Sequence, residues 1–336
     1  MNAIEKDPGL RVLDEVSSAF RSIAENQVRM DRGLIWEFGG ISQTITAEEP
    51  VEDNGETICR VHAETTFLSD LPRPVEKSSM IGFLLGQTWM SGMLVKEDPR
   101  SLVLRSIVTA GSGNRGWIGS VFTAAIASQA IDTYRLSPIF SRRVGGTPGN
   151  PLPISDCLHG PEFMRFKPTR LFTHRTNADS SPWSRNAVLE LIRDEIGEDS
   201  YITTIDDTRL TAEFPFGRHP GPSLRGGESI LLEVLWGKGQ RGHPYSMPGL
   251  SVSLTIPFRL DDEGTQEVAM NLNILEQDPT PQGSFLGSWS PDPFHNARFW
   301  SHIPGHCFAP GQLSALANSI VRRASWVDYL LVAHLR

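Results

Sequence analysis

Hydrophobic positions along the chain change period several times, and each change marks an element. Leu13, Val16, Phe20 and Ile23 recur at three- and four-residue spacing, which predicts a helix over residues 9–26. From Val28 to Phe38 the period drops to two. Met30, Leu34, Trp36 and Phe38 share even positions, as in a half-buried strand. Gly39-Gly40 signals a turn, and residues 42–47 (SQTITA) and 57–68 read as two further strands. A helix entered through Pro74 and carrying Val75, Gly82 and Leu85 follows. Strands are expected at 91–95 and 101–108, turning at Asp98-Pro99, then an Ala-rich helix from Trp117 to Tyr134.

The second half repeats that order. Ser181-Pro182 caps and opens a helix with Val188, Leu189, Ile192 and Ile196 on one face. Strands are expected at 208–216, 229–236 and 250–258. Asp261-Asp262-Glu263 opens a helix that continues to Glu276. A hairpin spans 284–288 and 294–303, and Pro310 opens a last helix with the stripe Leu313, Leu316, Ile320 and Val327. Residues 138–180 lack periodicity and are rich in Pro, Gly and Arg, the signature of a linker. The expectation is an α+β chain of two tandem, similar domains, 1–137 and 181–336. Each reads helix, three strands, helix, two strands, helix, with an antiparallel sheet packed on helices.

Composition agrees with two packed cores: 336 residues, 39% hydrophobic and 21% charged. A net charge of −8 argues against a nucleic-acid partner. Cys59, Cys157 and Cys307 are too scattered for a disulfide framework. The polar, acidic start of the chain lacks an apolar targeting core, and the most apolar stretch, 80–95, is too short to span a bilayer. A cytoplasmic protein without membrane insertion is expected.

The stretches AETTFLSDLP and SGMLVKEDPRSLVLRS in the first half, and MNLNILEQ and GSFLGSWSPDPFHNARFWSHIP in the second, carry a resemblance. With the order of elements, they resemble the bacterial type III secretion chaperone-like fold, including the YbjN-type family. Asn271, Leu272, Asn273 and Pro304 fit its habit of a Leu/Asn helix followed by a hairpin ending in proline. The resemblance implies a non-catalytic chaperone or adaptor that binds a protein client and needs no cofactor. Members of that family usually pair two single-domain chains, so two domains in one chain imply an internal pseudo-dimer.

Candidate chemistry is sparse. Gly111-Ser112-Gly113-Asn114-Arg115-Gly116 is a literal GxGxxG, which in a dinucleotide site lets backbone amides approach a pyrophosphate. No parallel strand ending in an acidic residue follows it, so a flexible turn is favoured. A nucleotide- or small-ligand-binding protein or enzyme using this loop stays as the alternative. His295, His302, His306 and Cys307 cluster without HExxH or CxxC spacing, and no metal is expected. No GxSxG is present, and Cys307 beside His306 should diverge from it, so no catalytic residue is assigned. Trp36, Phe38 and Trp236 fall on expected strands. If the sheet face away from the helices meets a partner, these aromatics would form the partner surface; otherwise they are core. A structural subunit of a larger assembly is a third reading.

Overall fold

The Asp7 carboxylate accepts hydrogen bonds from the amides of Gly9 and Leu10 and so caps helix α1 (Pro8–Phe20). Val12, Leu13, Val16 and Phe20 form its buried stripe. The computed structural model describes residues 7–72, 79–88, 90–97, 100–149, 190, 193–194, 201–205, 209–215, 229–238, 248–256, 261–278, 284–294, 296–307 and 311–334.

The alternation from Val28 to Phe38 is two strands, not one. Strands β1 (Asn26–Met30) and β2 (Gly33–Phe38) pair across the two-residue turn Asp31-Arg32. Partners across the turn have opposite parity (Met30↔Gly33, Val28↔Ile35), so Val28 and Met30 lie on the exposed face, opposite Leu34, Trp36 and Phe38, and the even-numbered stripe breaks at the turn. Arg32 fixes the turn to the start of α1 by an ion pair with Asp7 at 2.6 Å. Then come β3 (Ile41–Ala47), β4 (Val51–Asp53), β5 (Glu56–Ser69), helix α2 (Ser79–Leu85), β6 (Gly92–Glu97), β7 (Arg100–Ala110), helix α3 (Ile118–Val144) and β8 (Thr147–Pro148). The sheet runs β1-β2-β3-β5-β7-β6, with β4 and β8 pairing β5.

Helix α3 corrects the expected boundary at residue 137. It continues through Pro138 to Val144, and β8 then pairs with β5. Proline removes one helical hydrogen bond, but buried Phe140 beyond it meets Phe67 edge-on at 5.7 Å, which anchors the extension. The remaining linker residues lie outside the described residues. So does the helix expected from Ser181-Pro182, apart from helical residues 190, 193 and 194. The turns at Asp98-Pro99 and Pro310 also lie outside them.

The second half holds β9 (Tyr201–Ile205), β10 (Arg209–Pro215), β11 (Ser229–Lys238), β12 (Pro248–Ile256), helix α4 (Asp262–Leu275), β13 (Ser288–Pro291), β14 (Ala297–Pro304), a 3-10 turn (Gly305–Cys307) and helix α5 (Gln312–His334). Its sheet runs β9-β10-β11-β12-β14-β13. Both sheets are antiparallel, so the fold is α+β. In each, four strands meander, a helix follows, and the second strand of a hairpin returns to pair with the fourth. The three strands expected before the middle helix of each half become a four-stranded meander, because the one strand expected from Val28 to Phe38 is β1 and β2, and β9 was not foreseen; in the first half the short β4 also pairs with β5.

The halves pack on each other. Strand β6 covers β7 only as far as Arg105. Beyond it, Phe285 and Ile107 exchange backbone hydrogen bonds of 2.9 and 2.8 Å. The Phe285 ring lies where a Cβ on Gly92 would stand, so glycine permits the close approach. Helix α2 packs on β13 and on α4, while α4 packs on β6. One apolar cluster therefore runs from Leu84, Leu104 and Ile107 to Leu254, Phe285 and Trp289. Arg60 and Arg105 tie the first sheet to the end of α4, donating to the Gln277 carbonyl (2.6 Å) and side chain (2.7 Å). Among the described residues, no helix is long and apolar enough to cross a membrane.

Candidate functional site

The glycine loop connects β7 to α3, and the chain's own side chains already use its donors. Asn114 Oδ1 accepts from the Gly111 amide (3.0 Å), and its Nδ2 donates to the Thr109 carbonyl (2.6 Å). The Glu56 carboxylate, at the start of β5, accepts from the Ser112 hydroxyl (2.7 Å) and the Gly113 amide (3.0 Å). Those two bonds, the hydroxyl first, hold the Glu56 carboxyl below its usual range. A phosphate on this loop would meet donors already facing a carboxylate. None of the three glycines has a positive φ, and β7 belongs to an antiparallel sheet. The dinucleotide geometry of a parallel βαβ crossover is therefore not what this loop forms.

Below the loop lies a cavity of about 470 Å³ between the two halves. Ile58, Trp117 and Val121 line it from the first half; Val252, Phe299 and Leu316 line it from the second. The volume falls within the range of roughly 300–1,000 Å³ common for small-molecule sites. Several of its polar lining groups are paired with each other or with nearby backbone. Ser284 Oγ accepts from the Thr109 amide (3.2 Å), and the Ser301 hydroxyl donates to the Leu286 carbonyl. The Trp117 indole Nε1 differs: it is buried with no partner among the described residues.

Behind the second-half wall, Arg323 of α5 reaches into the core. Its Nε donates to Glu276 Oε1 at 2.6 Å, and one terminal nitrogen donates to Glu276 Oε2 (3.1 Å) and the Ser284 carbonyl (3.0 Å). Trp289 Nε1 also donates to Glu276, at 3.0 Å. The guanidinium stacks 4.1 Å from the Phe299 ring centre. This fork of bonds is what a buried ion pair requires to offset its desolvation.

The aromatic partner surface is corrected by burial. Trp36 is 1% exposed and Phe38 5%. Trp36 stacks on Phe20 with ring centres 4.2 Å apart, so this face of β2 covers the α1 stripe. The opposite face carries exposed Glu37, Ser42 and Thr46. Trp236 is partly buried against the second core.

Of the histidine cluster, the described side chains are those of His302 and Cys307. His302 is fully buried, with Nδ1 at 2.8 Å from the Ser251 hydroxyl, and Cys307 Sγ contacts the Ser120 carbonyl at 3.8 Å. His295 and the His306 side chain lie outside the described residues. Among the described residues, no group of three metal-ligating side chains occurs. Burial pushes the Cys59 thiol up to about 11, which makes it a poor nucleophile near neutral pH.

The sequence reading missed Glu56 and the α5 wall. Asn54-Gly55, both at positive φ, was the available hairpin signal for placing Glu56 at the start of a strand. No local signal could have told that α5 closes a cavity with α3. Comparison with known proteins adds no relative: no family model, no curated protein and no solved structure matches the chain.

Proposed function

We propose that this chain is a non-catalytic binding protein and that the cavity between its halves is its binding site. The observation that carries the reading is the cavity itself, with apolar walls from both halves and much of its polar lining already hydrogen-bonded. We further infer a tandem duplication forming an internal pseudo-dimer in the cytoplasm. The repeated strand order supports it. So does reciprocal packing: α2 meets β13 while α4, its counterpart, meets β6, the counterpart of β13. Exchange of equivalent contacts is what a two-fold interface produces. On this reading α3 and α5 are also counterparts, and the cavity lies between them.

The test is titration with anilinonaphthalene sulfonate, which brightens in apolar sites. The parent chain should bind it saturably, and Ala315→Trp, which fills the cavity from α5, should lose that binding while keeping its circular dichroism. Equal saturable binding by both would overturn the reading.

A second reading, a chaperone or adaptor for a protein client, is favoured by β1. It is the outer strand of its sheet, and Val28 and Met30 are 47% and 40% exposed. An extended client segment would add there as a further strand. Under this reading Val28→Lys should release a co-purified client that Ala315→Trp retains. The opposite pattern would reject it.

A further inference from the structure

We propose that the cavity's ligand is an amphiphile with an oxygen-bearing head that accepts a hydrogen bond from Trp117. The inference rests on the cavity being the binding site and goes on to name what the site selects.

An indole nitrogen can only donate. Buried donors are nearly always paired, because an unpaired one forfeits its hydration without recompense. Three indoles have a buried Nε1 without a partner among the described residues: Trp36, Trp117 and Trp300. Of these, Trp117 alone lines the cavity. It stands immediately before α3 and has no capping duty there.

Several other strong donors nearby are committed. The Arg323 guanidinium is held by Glu276 and the Ser284 carbonyl. The Gly113 amide and the Ser112 hydroxyl are held by Glu56. The floor of Val252, Phe299 and Ile320 is apolar and suits a hydrocarbon body. A ligand carbonyl or carboxylate oxygen would satisfy the indole, whereas an ammonium head carries only donors and would leave it unpaired.

The experiment compares decanoate, methyl decanoate and decylamine by calorimetry on the parent chain, Trp117→Phe and Ala315→Trp. Decanoate and its ester should bind the parent, and decylamine should bind far more weakly. If the ester matches decanoate, a neutral carbonyl suffices; if decanoate is stronger, charge adds to it. Trp117→Phe keeps the ring and removes the donor, so the oxygen-headed ligands should weaken roughly three- to tenfold. Ala315→Trp should abolish binding. In the parent chain, saturation with decanoate should move the Trp117 indole N–H resonance downfield, a readout that needs no variant to fold. Equal binding of all three compounds, or an unmoved resonance at saturation, overturns the ligand class and leaves the cavity reading standing. If none of the three compounds binds and anilinonaphthalene sulfonate also fails, both readings fall.

Discussion

In the first half, the polar groups buried between sheet and long helix are mostly neutral. Gln129 of α3 donates to the Ala63 carbonyl (3.2 Å) and to Ser106 (2.7 Å), and accepts from Thr65 (2.8 Å). Gln43 joins it from β3. In the second half, the residue equally far into α5 is Arg323, and its partner is the carboxylate of Glu276, both under 5% exposed. One strand order thus encloses an amide network in one place and an ion pair in the other. The topology requires that buried polar groups be satisfied, and it is indifferent to how. What differs is the cost of half-breaking each: a stranded charge is far worse solvated than a stranded amide.

The largest expected effect follows from that asymmetry. Arg323→Met takes the guanidinium away from buried Glu276, which keeps the Trp289 indole as a donor, and should cost about 3–5 kcal/mol in urea denaturation. Adding Glu276→Leu removes the stranded charge, and the double variant should regain much of the loss. A single variant within about 0.5 kcal/mol of the parent, the range of ordinary surface changes, would break the comparison. Gln129→Leu should cost less, about 1–3 kcal/mol, because it removes hydrogen bonds only to neutral groups of Ser106, Thr65 and Ala63, and the two hydroxyls keep Met90 and Gln43 as partners. If it proves the more damaging of the two, charge is not what separates the interiors.

These interiors were only partly legible in the sequence. The stripes of α1 and α5 and the alternation of β2, β3 and β12 are local patterns, and each lies where the spacing puts it. Strand β1 escaped because it is exposed along its length, so no alternation of burial separates it from β2. Which face of β2 meets α1 is a tertiary choice: alternation groups Trp36 with Phe38 but cannot say that Phe20 covers them. Pro138 looked like a helix stop, yet the packing of Phe140 on Phe67 carries α3 past it. The cavity was least legible, since residues 58, 117, 252 and 316 meet only when both halves are folded.

A third prediction sharpens the contrast by pH. His62 is 6% exposed on β5, its Nε2 on Glu48 and its ring beside Arg60 and Arg105, which hold Gln277 of the other half. Burial first, then Arg105, pushes its pKa below the ordinary value. The unfolded chain therefore takes up the proton more readily. Stability is fully present above the unfolded histidine value of about 6.5 and falls as the pH drops through it toward the folded value. His62→Gln should flatten that slope between about pH 6.5 and 5, where carboxylates contribute less. An unchanged slope would remove His62 from the junction's acid response. The effect should be smaller than either core substitution, because Glu48 opposes it.

The smallest expected effect lies at the loops that precede the two long helices. Before α3, Glu56 holds Ser112 and Gly113; before α5, the 3-10 turn makes the Cys307–Ser120 contact with the other half. Glu56 is largely solvated, so Glu56→Gln should change stability by no more than about 0.5 kcal/mol at neutral pH. Its folded pKa is depressed, so the contribution is present above the usual carboxylate range and disappears as acid protonates the folded group. The parent and Glu56→Gln should therefore converge in stability as pH falls below about 4. The carboxylate also faces the donors that a phosphate would need. A large loss in Glu56→Gln at neutral pH, rescued by added inorganic phosphate, would show an anion to be integral to this loop. The first half would then carry a second binding element with no counterpart in the turn before α5.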